Sequence, residues 1–383
     1  MAARVAECIA GEMLDQQGKR SVKPHIVIFT DRKLVACSAR KNLSPLLDFH
    51  FEAFDQHSIK AGASKHQSPF RLTEHPVEAD YFVLPLHWTC YLWNKRKEMP
   101  SAIEMAELAA RYGKELLIWF KGDLVPRIPF DNYVLFLPGI IRSRQRANHI
   151  ACPVFIEDPQ PRFGTFNAVV RPKSKIPTVG FCGYADSSPA KTGWSVINGL
   201  KLKMLERLGQ GDFEEVQVVP STILRSRTLR SLSKSRLVTT DFIVREAYTP
   251  SRRPESDKAV DIRVNEFFAN IYGTDYTLCM RGYGNWSYRF YQTLACGRIP
   301  VIVDTECVLP NTGSIDWKKY CIWVAPNELD RIGEIIRSFH HSISDRDFIH
   351  LQVECRDLWK RSFTPAGFFP QLRCVLEQGR PSR

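Results

Sequence analysis

The chain has 383 residues, 44% of them hydrophobic, 25% charged and 11% aromatic, a composition that can bury a large core and excludes wholesale disorder. Single cores stop growing at about 250 to 300 residues, so two domains are expected. Lys and Arg number 53 against 41 Asp and Glu, a net charge of +12, which favours an anionic partner: nucleic acid, an anionic membrane surface or a phosphorylated small ligand.

The N-terminal stretch MAARVAECIAGEMLDQQGKR lacks the apolar segment of a signal peptide and carries Glu7, Glu12 and Asp15 in its helix-like part. It predicts a helical extension over 1–23 and no export by that route. Eleven cysteines run singly from Cys8 to Cys374 without a C-x-x-C pair. Neither a zinc site nor a disulfide framework has the expected spacing, and reduced thiols in the cytoplasm are expected.

From residue 24 onward, short apolar runs alternate with helix-compatible stretches, the pattern of an α/β protein with parallel sheets. Strands are predicted over His25–Asp31, Ala79–Leu86, Lys114–Phe120, Asn132–Pro138 and Cys152–Asp158. The most apolar region, Tyr81 to Trp93, contains Pro85 and His87 and is too short for the ~20 residues of a spanning helix, so no transmembrane segment is expected. Between the second and third strands, Ile103, Met105, Ala106, Leu108 and Ala109 form a helix face with Gly113 at the C′ position.

The basic, proline-bracketed stretch Val170 to Pro177 reads as a linker, giving a first domain over 24–170 and a second over 177–345. The second domain repeats the alternation. Strands are predicted over Thr178–Ala185, Val216–Pro220, Phe242–Ala247, Tyr276–Arg281, Ile299–Asp304 and Cys321–Pro326, with a helix at Leu200–Gly209. The tail over 346–383 predicts helices packed across both domains.

The segment from Asp275 to Trp317 carries the chemistry. A strand runs into Arg281-Gly282-Tyr283-Gly284-Asn285-Trp286-Ser287, then an amphipathic helix with Gly297 at its C′ position, then a strand from Ile299. This order suits an anion: Gly282 and Gly284 let the backbone approach a phosphate, the helix N-terminus presents unpaired N–H groups, and Asn285 or Ser287 can cap. Arg281 before the turn and Arg289 in the first helical turn add two forked cations matched to a diphosphate. The same glycines would also serve a plain strand-to-helix turn. Gly282-x-Gly284-x-x-Ser287, with Asp304 twenty residues beyond Gly284, imitates the dinucleotide fingerprint as well. An NAD-dependent oxidoreductase is therefore the alternative enzyme, with Ser287 in place of the third glycine against it.

This segment resembles the exostosin-type glycosyltransferases, glycosyltransferase family 47. The matching string is Met280-Arg281-Gly282, Ser287-Tyr288-Arg289-Phe290, Leu294, Gly297-Arg298-Ile299-Pro300-Val301-Ile302, Leu309-Pro310 and Ile315-Asp316-Trp317, with a looser match at Val77 to Leu86. The resemblance implies a GT-B fold, two Rossmann-like domains facing a cleft, with a nucleotide-sugar donor in the second domain and a carbohydrate acceptor approached from the first. It implies inverting transfer from a UDP-linked sugar, with helix dipole, Arg281 and Arg289 neutralising the leaving diphosphate in place of a metal, and no cofactor. The family pattern has Glu three residues after the helix arginine, where this chain has Gln292. The amide can still accept and donate towards ribose hydroxyls, or the chain is a catalytically weak nucleotide- or glycan-binding relative. The membrane anchor of Golgi members has no counterpart here, which implies a cytoplasmic enzyme or the soluble part of an anchored one.

Several remaining features have simpler readings. Asp345-Arg346-Asp347 precedes a helical run and reads as an acidic first turn, not a metal-binding D-x-D, and His340-His341 read as exposed helix residues. The basic segments Leu224–Arg236 and Ser251–Arg253 accompany no nucleic-acid module and read as a solvated loop or an acceptor surface. An inverting transfer needs a base on the face opposite the diphosphate, hence from the first domain. His87, after the Ala79–Leu86 strand, is the candidate, with Asp31 and Asp123 behind it and a packing role beside Trp88 as the alternative. Asp304 and Glu306 follow the Ile299 strand and are expected to contact donor or acceptor.

Overall fold

A computed structural model describes residues 25–31, 42–47, 69–164, 169–185, 188–214, 217, 219–245, 257–311 and 314–378, without the side chains of 189–192 and 257–259. The helical extension expected over 1–23 and the segment Ser251–Arg253 lie outside the described residues. The chain divides into two compact units, one over 1–155, 308–315 and 361–383, the other over 156–307 and 316–360.

Unit one holds a six-stranded sheet of β1 (Ile26–Phe29), β2 (Phe70–Thr73), β3 (Tyr81–Val83), β4 (Leu116–Trp119), β5 (Tyr133–Leu137) and β6 (His149–Ala151), in the order β2-β1-β3-β4-β5-β6. Every pairing is parallel. Strands covered on both faces read as continuous apolar runs, and β3, β4 and β5 are buried throughout. Helices α1 (Trp88–Trp93) and α2 (Lys95–Arg111) lie between β3 and β4 in the chain, and Gly113 ends α2 in the left-handed conformation expected of it, φ 62°.

The strand predicted at Cys152–Asp158 lies at His149–Ala151 instead. Cys152 N donates the last ladder bond, to Leu137 O at 3.1 Å, and Pro153 has no N–H to continue it.

Unit two repeats the design with β7 (Thr178–Tyr184), α3 (Pro189–Arg207), α4 (Ser221–Lys234), β8 (Thr239–Arg245), α5 (Asp257–Gly273), β9 (Tyr276–Cys279), α6 (Tyr288–Ala295), β10 (Ile299–Val303), β11 (Ile322–Val324) and α7 (Ile332–Ser342). Its sheet, again wholly parallel, has the order β8-β7-β9-β10-β11. Two parallel-sheet, Rossmann-like units are thus present, as expected. None of the described residues of Val216–Pro220 is in a strand. The Leu224–Arg236 segment is no solvated loop: it belongs to α4, which buries Thr228, Leu229 and Leu232. The stretch 170–177 lies within unit two, where Arg171 Nε pairs with Asp275 Oδ1 at 3.0 Å and Thr178 N donates to Asp275 Oδ2 at 2.9 Å.

Two helices complete the chain, α8 (Asp345–Phe363) and α9 (Pro365–Gln378). Ser344 and Asp347 bond at the start of α8, Oγ to Oδ2 at 2.7 Å and N to Oγ at 3.1 Å, and Asp345 and Asp347 lie in its first turn, as expected. The α9 side chains Phe368, Phe369, Leu372 and Leu376 join Trp119 and Phe136 in the core of unit one.

His340 contradicts its exposed reading. It is buried, with Nδ1 2.9 Å from the Tyr276 hydroxyl and Nε2 2.7 Å from Ser174 O. The cysteine expectation holds for eight described residues and fails at Cys374, which is disulfide-bonded, so the cysteines no longer argue for the cytoplasm. Among the described residues no helix is long and apolar enough to cross a membrane.

Both sheets share one topological property. In each, the chain leaves its first strand towards one edge and returns on the other side, so β1 and β3 flank a switch point in unit one and β7 and β9 flank one in unit two. Ligands of open parallel sheets sit outside the carboxyl ends of the strands at such points.

Candidate functional site

The glycine turn falls at the switch point of unit two. β9 ends at Cys279, and the loop that follows closes on itself through Gly282 N donating to Trp286 O at 2.9 Å. Gly282 has no positive φ, and a Cβ there would meet only Trp286 O at 3.9 Å. Neither backbone strain nor protein packing demands glycine at this position, whereas a ligand approaching the backbone would.

Ser287 is the N-cap of α6 in extended conformation, but its hydroxyl makes no cap bond. Asn285 is buried, and its Oδ1 accepts from Thr305 Oγ1 at 2.7 Å. The N-cap residue of α6 thus supplies no side-chain cap, which leaves the first-turn dipole available to an anion.

The Asn285–Thr305 bond joins the turn to the segment after β10. There Asp304 Oδ1 accepts from Glu306 N at 2.9 Å, and Glu306 is exposed with φ 62°, a conformation that costs a non-glycine residue about 1 kcal/mol or more. Gly282, Gly284, Asn285, Ser287, Asp304 and Glu306 thus share the carboxyl edge of one sheet.

Neither arginine points freely at the turn. Arg281 is buried, with Nη2 donating to Val219 O and Nη1 to Gly282 O at 3.3 Å. Burial pulls its guanidinium down to about 10, which leaves it charged at neutral pH. Arg289 reaches over the end of β7, donating from Nη2 to Cys182 O at 2.5 Å with its guanidinium carbon 4.4 Å from the Phe181 ring centre and 5.6 Å from that of Phe267. Gly183 makes room for it, since a Cβ there would stand 2.6 Å from Nη2. Gln292 lies on α6 three residues from Arg289, half-buried, and its amide has no hydrogen-bond partner among the described residues. It is on the face of Arg289, as expected.

Arg225 was not singled out from the sequence. From α4 its Nη1 donates to Tyr184 O at 2.9 Å and its Nη2 to Arg281 O at 2.8 Å, so it touches the ends of both switch-point strands. The only sequence signal was the Arg- and Ser-rich composition around it.

His87 lies in unit one, at the carboxyl side of β3, as the N-cap of α1. It is buried, its Nε2 3.5 Å and Nδ1 3.6 Å from Cys90 Sγ. Burial, and secondarily the charge of Lys121, push its imidazole from 6.5 down to about 4. Burial and Arg146 do the same to His149, also to about 4.

Above the unfolded value both states are neutral. Between about 6.5 and 4 the unfolded chain takes up protons that the folded chain refuses, so stability falls as pH falls. The urea midpoint is expected to drop from pH 7 to pH 4.5, and His87→Gln should flatten that slope; an unchanged midpoint would show that these rings are not buried.

The fold and the site define a two-unit parallel α/β protein with an anion-suited, uncapped helix terminus at the switch point of its second sheet. Residues 231–339, which contain this terminus, match the Exostosin GT47 domain. The resemblance read from Asp275 to Trp317 is borne out there. Exostosin-1 of Drosophila melanogaster is 36% identical over 89 residues, 23% of this chain and 11% of that protein. A probable glucuronosyltransferase, GUT1 of Oryza sativa subsp. japonica, is 28% identical over 72 residues, 19% of this chain and 17% of that protein. The chain thus matches less than a fifth of the length of either relative. Among solved structures, sucrose-phosphate synthase from Thermosynechococcus elongatus aligns with a TM-score of 0.34 and 10% identity over 79% of this chain and 74% of that one. A glycosyltransferase from Rickettsia africae aligns with a TM-score of 0.32 and 11% identity over 79% and 77%.

Proposed function

We propose that the chain is an inverting glycosyltransferase that moves a sugar from a nucleoside diphosphate, UDP in the first instance, to a carbohydrate hydroxyl without requiring a metal. The observation that carries this reading is the exostosin-like turn, set with an uncapped helix N-terminus at the switch point of unit two. The departing diphosphate gains charge as the glycosidic bond breaks. Dipoles and cations already fixed at that place stabilise it more than they stabilise the bound donor, and the α6 terminus, Arg281 and Arg289 are that set.

The acceptor is assigned to unit one. There a base at the β1/β3 switch point would take the acceptor proton, and His87 follows β3. Its neutral ring is a weak base at about 4, so the acidic limb of kcat/KM would lie near pH 4 and not near 6.5. A binding relative without turnover is the second reading, favoured by Gln292 and by the engagement of both guanidinia with backbone carbonyls.

The test is release of UDP from UDP-sugars in the presence of oligosaccharide acceptors and EDTA, with the anomeric configuration of the product followed by NMR. Inverted product supports the transferase. Donor binding with no turnover supports the second reading.

Gln292 provides a separate check, because a carboxylate would accept from both ribose hydroxyls. Gln292→Glu is expected to tighten UDP binding by at most about 1.5 to 3 kcal/mol, less repulsion from the phosphates, and to leave a 2′,3′-dideoxy analogue unaffected. Equal gains for both nucleotides would remove Gln292 from the ribose.

A further inference from the structure

The first turns of α4 fasten the residues at the carboxyl ends of β7 and β9. Besides the two bonds from Arg225, Ser226 Oγ donates to Ala185 O at 2.6 Å, and Arg281 returns a bond to Val219 O just before α4 begins. Arg225 and Ser226 thus grip Tyr184, Ala185 and Arg281, the residues that end β7 or follow it and β9.

The electrostatic consequence is specific. A main-chain carbonyl facing a phosphate repels it, and two such carbonyls, of Tyr184 and Arg281, stand at this switch point. A guanidinium presents its donors in a rigid fork that can draw both oxygens towards itself. Its charge also adds to the field at the site, where low dielectric makes a fixed charge count for more than in water.

We propose that Arg225 is a positioning residue of the donor site: by holding the carbonyls of Tyr184 and Arg281 it turns the switch point of unit two from a place lined by acceptors into one that admits a diphosphate. The inference rests on the reading of this site as a nucleotide-diphosphate site. Lysine, with one ammonium on a flexible stem, cannot reproduce the two-carbonyl grip, so Arg225→Lys keeps the charge and loses the geometry. Arg225→Ala loses both.

The experiment measures the affinities of UDP and uridine for the full chain and for both variants, together with amide hydrogen exchange of the loops after β7 and β9 without ligand. Arg225→Ala is expected to weaken UDP at least tenfold while changing uridine less than twofold. Exchange should rise in both loops, and Arg225→Lys should fall between. A role in general folding would weaken both ligands alike and deprotect the whole sheet; that result, or unaltered UDP binding, overturns the proposal. If the unsubstituted chain binds neither ligand, the nucleotide reading fails and the proposed donor role falls with it, while exchange confined to the two loops would still uphold the grip itself.

Discussion

Turnover by the Arg281→Ala protein is expected to fall about 100-fold or more, a loss of roughly 2.7 kcal/mol, with a smaller change in KM. Arg281 follows β9 at the carboxyl edge of the sheet, is buried, and stays protonated at neutral pH although burial draws its guanidinium down to about 10. A cation held in a water-poor site by backbone carbonyls needs no reorganisation when the leaving group becomes negative. Arg281→Lys should recover only part of the rate, because the grip on Val219 O and Gly282 O needs the fork. An unchanged kcat in a folded alanine variant would show that the amides of α6 suffice.

Arg298 has the opposite profile, and its alanine variant is expected to lose about 3 kcal/mol or more of stability. The residue is 1% exposed; Nη1 donates to Val169 O at 2.7 Å and Gln352 Oε1 at 3.1 Å, Nη2 to Tyr272 O at 3.0 Å. Truncation takes this donor from the carbonyls of Val169 and Tyr272, whereas Gln352 Oε1 keeps Arg171 N at 3.1 Å. Its neighbour Gly297 holds φ 63°, and a Cβ there would meet Gln352 O at 3.0 Å, so the Gly-Arg pair of the exostosin-like string builds the floor of unit two away from the turn. A urea titration measures the loss. Arg331→Ala, which breaks only an exposed pair with Glu334, is the control and should leave the midpoint unchanged.

The contrast between these arginines shows what the sequence could and could not reveal. Buried parallel strands advertise themselves as apolar runs, which is why β3, β4, β5, β9 and β10 were legible. β2, Phe-Arg-Leu-Thr on a sheet edge, carries no such run and was missed. The turn from Arg281 to Ser287 was legible because glycines between a strand and a helix are a local signal. The directions of the guanidinia were not, since their partners are main-chain carbonyls: Cys182 O for Arg289, Tyr184 O and Arg281 O for Arg225. No residue type marks a carbonyl, so no spacing could foretell them. α4 was hidden for a related reason, because Arg and Ser dominate its composition while only Thr228, Leu229 and Leu232 face the core. His340 was misread because its partners, Tyr276 and the Ser174 carbonyl, are remote in the chain.

The proposed function requires the switch point of unit two to bind a nucleoside diphosphate. Calorimetric titration of UDP, GDP and NAD into the chain and its Arg281→Ala variant, in EDTA and at two salt concentrations, decides whether it does. UDP or GDP is expected to bind the unsubstituted chain without metal, more weakly at higher salt, and at least tenfold more weakly in the variant. Tight binding of NAD with no response to either nucleoside diphosphate would contradict it.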